Sequence, residues 1–201
     1  MRTRLTEAFG IHHPIVFAPM ALVTGGRLAA AVANAGGLGI VGAGYAGVLG
    51  GEPEMHQELA HVRGTKFGIG FITWALARVP HVLDEALGHA PSCVFLSFGD
   101  PRPFAERIRR SGATLICQVQ CLRHVDEALA AGAAVIVAQG AEAGGHGAQR
   151  STLPFVPEVA DHLARRAPTT LLLVTGGIAD GRGLARRDAR RSMCDGRWGR
   201  R

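Results

Sequence analysis

The sequence is poor in cysteine, and its cysteines form no pattern that a disulfide framework or a zinc site requires. No CxxC pair occurs among the four thiols, and the nine histidines show neither HxH nor HExxH spacing. Cys93, Cys117 and Cys121 lie in or beside apolar runs, where a free thiol behaves as a small hydrophobe. We therefore expect no metal site and a reducing, cytoplasmic location.

Segments that would target the chain to a membrane are also missing. Residues 1–7 lack the apolar core of a secretory signal peptide. Residues 28–51 carry no charge and are long enough to span a bilayer. A third of them are glycine, however, and Asn34 interrupts the run. We expect a helix, a turn, a strand and a loop there, and no membrane partner.

Excess basic charge is confined to the end of the chain. The net charge is +6 and the isoelectric point is near 10.1, values that are typical of some nucleic-acid-binding proteins. Seven of the 22 basic residues fall within residues 186–201, and the remaining 15 nearly balance 14 acidic residues. The folded body is therefore almost neutral, and the sequence predicts no nucleic-acid partner.

Aromatic residues are scarce, at 5% of the chain, whereas glycine occurs 28 times. Seven apolar runs alternate with helical segments, which indicates a parallel α/β sheet covered by helices. A doubly wound sheet and a (β/α)8 barrel both satisfy this pattern. No change in composition divides the chain, so we predict one domain. The predicted strands are 14–20, 38–41, 67–73, 93–98, 114–120, 133–139 and 169–174, and the main helices are 27–35, 53–63, 80–89, 103–111, 124–131 and 157–166.

One loop concentrates polar groups at the end of a predicted strand. Residues 137–148 pass from an apolar run into glycines that carry one carboxylate, Glu142, and one imidazole, His146. The glycines remove side-chain bulk, so the backbone can approach a ligand or adopt positive φ. A histidine in such a loop can act as a general base near neutral pH. A purely structural turn is the alternative.

Three further patterns suggest ligand contacts. Gly42, Gly44 and Gly47 match GxGxxG, but no helix opens at the third glycine and the expected acidic residue is missing, so a dinucleotide site is disfavoured. Thr175, Gly176 and Gly177 end a strand before a helical segment and could cradle a phosphate, or form a plain strand-to-helix turn. Gln118 and Gln120 alternate along a strand, so both amides should share one face, where they could bind a planar ligand or equally the neighbouring backbone.

Five motifs taken together resemble, in the same order, those of the nitronate monooxygenases, also called 2-nitropropane dioxygenases. They occupy residues 14–20, 35–39, 67–71, 139–146 and 175–181. The Glu-Ala-Gly-Gly-His segment ending at His146 is the most specific of them. The resemblance covers residues 10–185 and implies an FMN-binding (β/α)8 TIM barrel that converts nitronates and O2 into carbonyl compounds and nitrite.

The resemblance also implies roles for individual residues. His146 would be the catalytic base, or the group that orients the nitronate. Gln118 would reach the flavin from its strand, and Gly176 with Gly177 would hold the phosphate. The positions implied to contact the flavin ring or line its site are Ala18, Pro19, Met20, Gln139, Gly140, Gly144 and Gly145. The oligomeric state is not implied.

Two departures from the family pattern affect this interpretation. Many members carry Asn where this chain has Gly70, so one amide contact to the flavin would be lost. After residue 185 the family pattern continues with a helix and an eighth strand, whereas residues 186–201 form an Arg-rich tail without an apolar run. The sequence therefore predicts an incomplete barrel of about seven βα units over residues 1–185, with a disordered tail that a frameshift or a wrongly assigned gene end would explain.

Two alternatives to a nitronate monooxygenase follow from the same residues. Flavin-dependent enoyl-acyl-carrier-protein reductases share the barrel and a similar histidine loop, but use a nicotinamide donor to reduce a carbon–carbon double bond. A barrel without its eighth strand would leave strand edges unpaired, so an inactive, partly folded fragment is the second alternative. The intact loop around His146 favours catalysis, and the missing strand favours inactivity.

Overall fold

The computed structural model describes residues 2–48, 52–147, 149–178, 180, 181 and 183. Helices and strands alternate along this part of the chain as the apolar pattern predicts. Their bounds, in order, are α1 (Arg4–Phe9), α2 (Gly26–Asn34), β1 (Gly39–Gly44), α3 (Glu52–Ala60), β2 (Phe67–Ile72), α4 (Thr73–Leu76), α5 (His81–Leu87), β3 (Cys93–Ser97), α6 (Arg102–Ser111), β4 (Thr114–Val119), α7 (Leu122–Ala130), β5 (Val135–Gln139), α8 (Thr152–Arg166) and β6 (Leu171–Thr175).

The strands form a parallel sheet, which confirms the α/β fold class. They follow one another in the order β1-β2-β3-β4-β5-β6. Every residue of β2, β3 and β5 is buried, as expected for strands with helices on their outer face. The β5–β6 pair runs in register from Val135 opposite Leu171 to Gln139 opposite Thr175, so both strands end at the same level.

The prediction of a first strand over residues 14–20 is wrong. Val16 makes only an isolated parallel bridge to Leu38, and the described residues contain six strands rather than seven. Proline has no N–H group to donate to a ladder, and this segment contains Pro14 and Pro19. After Pro19, the N–H of Met20 donates to the hydroxyl of Thr24 at 2.7 Å, so the backbone turns away from strand pairing.

The prediction that the strand ends at residue 41 and a glycine-rich loop follows is also wrong in part, because β1 continues to Gly44. A Cβ atom on Gly42 would lie 2.5 Å from Thr24 Oγ1 and 2.7 Å from the Met20 carbonyl oxygen. Glycine is therefore needed here for the segment around Thr24 to pack on β1. The GxGxxG match thus has a packing explanation and no nucleotide needs to be invoked.

Helix α8 begins at Thr152, five residues before the predicted start at residue 157. Proline is favoured at the first position of a helix, which is why the sequence suggested that start. Pro157 instead lies inside α8, and the preceding turn carries Phe155 and Val156, both buried. Burial of these two side chains favours the longer helix over the one that proline preference alone predicts.

The chain divides into two compact units, Met1–Ile116 and Cys117–Arg201. In the first unit, β1 pairs with β2 and β2 with β3, and α2 packs on β1. In the second unit, α8 packs on β5, β6 and α7, with Phe155, Val159 and Leu163 buried. The expectation of one flavin-binding domain over residues 1–185 stays a prediction. The expected tail at 186–201 and the missing eighth strand lie outside the described residues.

Two of the thiols are buried, in agreement with the sequence. Burial raises the pKa of Cys93 to about 12 and that of Cys117 to about 12. Cys121 is only half-buried. Because the thiolate is the reactive species, Cys93 and Cys117 should be inert in the folded protein.

We predict that iodoacetamide at pH 8 modifies Cys121 in the native chain and spares Cys93 and Cys117. Peptide mass spectrometry after labelling measures each site, and labelling in guanidinium chloride is the control in which all sites react. Native labelling of Cys93 or Cys117 at the rate of Cys121 would contradict the buried positions.

A second prediction concerns Gly70, over which the Pro19 ring packs. A Cβ atom on Gly70 would lie 2.2 Å from Pro19 Cβ and 2.5 Å from Pro19 Cγ. Because the ring is rigid and β2 is buried, Gly70→Ala should lower the free energy of unfolding by about 1–3 kcal/mol. Urea unfolding measures the change. Gly144→Ala, where no heavy atom in the described part of the chain lies within 4 Å of the added Cβ, is the matched control and should be near neutral.

Candidate active site

Three glutamine side chains meet at the carboxyl ends of β4 and β5. Gln139 closes β5 and is only 5% exposed, and its Oε1 accepts hydrogen bonds from the Nε2 atoms of Gln118 and Gln120. The shared acceptor confirms that the amides of Gln118 and Gln120 lie on one side of the strand. We call these three residues the glutamine cluster.

The glutamine cluster carries amide N–H donors as well as the shared acceptor. Both hydrogen bonds given for the Gln139 side chain are accepted by its Oε1, and the residue is only 5% exposed. The chemistry of the cluster suits a planar ligand with a carbonyl or ring-nitrogen acceptor.

Residues 140–147, which we call the histidine loop, follow β5 and carry His146. The backbone carbonyl oxygen of His146 accepts a hydrogen bond from Gln120 Nε2 at 2.8 Å, so the glutamine cluster supports the loop. The loop is tied at its other end by the Gly140 N–H, which donates to the Thr175 carbonyl oxygen at 3.1 Å. The His146 side chain is exposed. Its imidazole can therefore meet a ligand from solvent.

Glu142, in the middle of the histidine loop, binds the start of α8. Its Oε2 accepts hydrogen bonds from the backbone N–H of Thr152 at 2.7 Å and from the Thr152 hydroxyl at 2.6 Å. The hydrogen bond from the Thr152 hydroxyl is the main cause that lowers the pKa of Glu142 below its ordinary value. Sequence reasoning missed Thr152, because its partner lies ten residues away and no local capping pattern marks it.

The positions predicted to line the cofactor are occupied by glycine for two different structural reasons. A Cβ on Gly140 would lie 1.9 Å from Thr152 Oγ1, and one on Gly176 would lie 2.7 Å from the same atom. These two glycines are required by the packing of the protein itself. Among the described residues, no heavy atom comes within 4 Å of a Cβ added to Gly144 or Gly145, and Gly145 has a φ of +83°. They therefore leave open space beside His146 that a ligand could fill.

The glycine turn formed by Gly176 and Gly177 follows β6, as the sequence predicted. Both residues adopt positive φ, +110° at Gly176 and +72° at Gly177. A Cβ on Gly177 would lie 3.2 Å from Glu142 Cβ, so this turn lies against the histidine loop. The second unit thus brings together the glutamine cluster, the histidine loop and the glycine turn.

The remaining predicted flavin contacts lie in the first unit. Ala18 and Met20 are exposed, and Pro19 between them is half-buried against Gly70. The segment that carries them is fixed by Thr24, a buried residue whose hydroxyl donates to the Met20 carbonyl oxygen at 3.0 Å. Ala18 and Met20 are therefore presented to solvent at defined positions.

Neither metal coordination nor membrane insertion is suggested by this geometry. Across the described ranges, no group of three or more His, Cys, Asp and Glu side chains could hold a metal ion. The helices in the same part of the chain are all too short or too polar to cross a bilayer.

Comparison with known proteins assigns a family. The model of the nitronate monooxygenase family matches residues 2–66 and 72–187. A nitronate monooxygenase of Neurospora crassa is 33% identical over 85% of this chain and 54% of its own length. A Mycobacterium tuberculosis relative, 32% identical over 92% of this chain and 51% of its own length, is an octahydro-indene-carboxyl-CoA dehydrogenase.

Solved structures agree with the sequence comparison. FabK from Thermotoga maritima has a TM-score of 0.77 and 30% identity, and the match covers 94% of this chain and 58% of FabK. A nitroalkane oxidase from Streptomyces ansochromogenes has a TM-score of 0.68 and 29% identity, over 90% of this chain and 64% of the oxidase. The chain spans about half the length of these curated relatives. With a family match over most of its residues, the chain belongs to the nitronate monooxygenase family.

Proposed function

We propose that this chain forms part or all of an FMN-dependent nitronate monooxygenase, which oxidises alkyl nitronates with O2 to carbonyl compounds and nitrite. The observation that carries the proposal is the histidine loop. In a member of this family, an exposed His146 beside Gly144 and Gly145 stands at the end of a parallel strand, where α/β sheets bind their ligands.

The residues present fit a flavin. The amide of Gln139, a residue that is only 5% exposed, offers a donor for an acceptor on a planar ring, and the described residues leave space for such a ring beside Gly144 and Gly145. We propose that Gln118 and Gln139 hold the ring, with Gly140 shaping the wall beside it. Gly176 and Gly177 would donate backbone N–H groups to the phosphate. Ala18, Pro19 and Met20 would contribute the apolar surface that contacts the ring.

When bound, FMN would supply the redox chemistry by accepting an electron from the nitronate. The protein's own part would be played by His146. Its imidazole would take the α-proton from a neutral nitroalkane, or orient the nitro group of a nitronate by a hydrogen bond. The glutamine cluster would keep His146 in place, because Gln120 binds the backbone of that residue. The expected placement in the cytoplasm remains part of the proposal.

A second candidate is reduction or dehydrogenation next to a thioester carbonyl, as in flavin-dependent enoyl reductases. The observation that favours it is the 32% identity to the Mycobacterium tuberculosis dehydrogenase, whose substrate is a CoA thioester. Assays of the same preparation with a nitronate under air, and with NADH plus an enoyl thioester, separate the two functions. Nitrite release without NADH consumption supports the monooxygenase.

The histidine assignment predicts the effect of one substitution. His146→Ala should lower kcat/KM for an alkyl nitronate by about 10²–10³-fold, because the hydrogen bond that orients the anionic nitro group is lost. Nitrite release measures turnover. His81→Ala, an exposed histidine at the start of α5, is the matched control and should be unaffected. Unchanged turnover in His146→Ala would refute the role of His146.

The flavin assignment predicts a visible absorption spectrum. The chain, incubated with FMN and then desalted, should keep the absorption bands of a bound flavin. His146→Ala should keep them as well, because its side chain is exposed and is not among the proposed flavin contacts. Riboflavin, which lacks the phosphate, is the control and should be retained less. A colourless protein after desalting would contradict the proposed site.

A further inference from the structure

Glu142 belongs to the Glu-Ala-Gly-Gly-His segment, and its carboxylate serves a purpose different from that of His146. One oxygen of the carboxylate, Oε2, accepts a hydrogen bond from the backbone N–H of Thr152 and another from its hydroxyl. Thr152 is the first residue of α8, so Glu142 caps this helix from ten residues upstream. Ser151, at the usual capping position, makes no side-chain capping hydrogen bond. Glu142 therefore replaces the local cap.

Three segments meet at this contact. Thr152 Oγ1 lies 3.4 Å from the carbonyl oxygen of Gly176, and the Glu142 side chain lies against Gly177. The close approach of Gly140 to Thr152 completes the arrangement. The histidine loop, the first turn of α8 and the glycine turn are thus held by one carboxylate and one hydroxyl. We call the pair of Glu142 and Thr152 the clamp.

The physical basis of the clamp is a charged acceptor at a helix N-terminus. Hydrogen bonds to an ionised carboxylate are shorter and stronger than those between neutral groups, and the helix dipole favours negative charge at this end. Since the Thr152 hydroxyl lowers the pKa of Glu142, the carboxylate is ionised at neutral pH. A carboxylate that is committed to two donors is a poor candidate for proton transfer.

We propose that Glu142 is a positioning residue, which holds the histidine loop and the glycine turn against the first turn of α8. The Glu142 carboxylate of the clamp also occupies the N-terminus of α8, where an anionic ligand could otherwise bind. A phosphate in this unit must therefore use the glycine turn rather than α8. The relevance of the clamp to His146 and to a phosphate rests on the proposed function, whereas the clamp itself does not.

Hydrogen–deuterium exchange of the chain without flavin tests the clamp directly. In Glu142→Gln, the shape of the side chain is kept and its charge is lost. We expect amide exchange in residues 141–143 and in the first turn of α8 to rise about fivefold or more, a change typical of losing a helix cap. Glu127→Gln, which removes a carboxylate paired with Arg123 on α7, is the matched control and should leave these amides unchanged.

Substitutions of Thr152 separate hydrogen bonding from packing. Thr152→Ser keeps the hydroxyl and should exchange like the wild type. Thr152→Val keeps the shape but loses the hydroxyl and should raise exchange in residues 141–143. The reverse pattern, with Ser faster and Val unchanged, would show that the threonine methyl group only packs, and it would overturn the proposal. Unchanged exchange in Glu142→Gln would overturn it as well.

Nitrite release and FMN retention by the same proteins keep the two proposals apart. If the wild type releases no nitrite while exchange rises in Glu142→Gln, the monooxygenase assignment fails and the clamp stands as a structural device. If the wild type is active and Glu142→Gln shows wild-type exchange, the clamp fails alone. With both correct, Glu142→Gln should lose nitrite release and FMN retention, and Thr152→Ser should keep both.

Discussion

The constraint on which the second unit depends is the common level at which β5 and β6 end. Because the two strands are parallel and in register up to Gln139 and Thr175, the segments that follow them begin side by side. The histidine loop and the glycine turn can therefore touch within a few residues of leaving the sheet. Their contact with α8 follows, since the helix packs on both strands. Sheet register thus sets the geometry of the site before any ligand is considered.

Some glycines in this site are required by close packing and others leave space for a ligand, and the sequence alone does not distinguish the two groups. Gly140 and Gly176 are glycine because the protein approaches itself there, at Thr152. Gly144 and Gly145 have space around them that no described residue fills. A motif that lists all four as cofactor contacts merges a packing requirement with a binding requirement. Only the second pair gives direct support to a ligand beside His146.

Much of the fold could be predicted because its strands are continuously apolar. The starts of β2, β3 and β4 match the predictions at residues 67, 93 and 114, and β5 ends at Gln139 as expected. The predictions that failed concern segments whose structure depends on residues far away in sequence. The segment over residues 14–20 pairs only through the bridge between Val16 and Leu38, and the first residue of α8 donates to Glu142, ten residues upstream. Neither the proline pattern nor helix propensity contains this information.

The candidate site, like the fold, has some features that the local sequence predicts and others that depend on residues far away in sequence. The positions of Gln118 and Gln139 near the ends of strands, and of His146 in the loop after one, could be inferred from the sequence, whereas the role of Glu142 could not. Both titratable groups of the Glu-Ala-Gly-Gly-His segment lie on one short loop, yet their surroundings differ. Glu142 turns back onto two donors of Thr152, and His146 remains exposed beside Gly145, whose φ of +83° lets the backbone change direction between them. The glycines in this segment therefore allow one loop to carry an anchored carboxylate and an accessible imidazole.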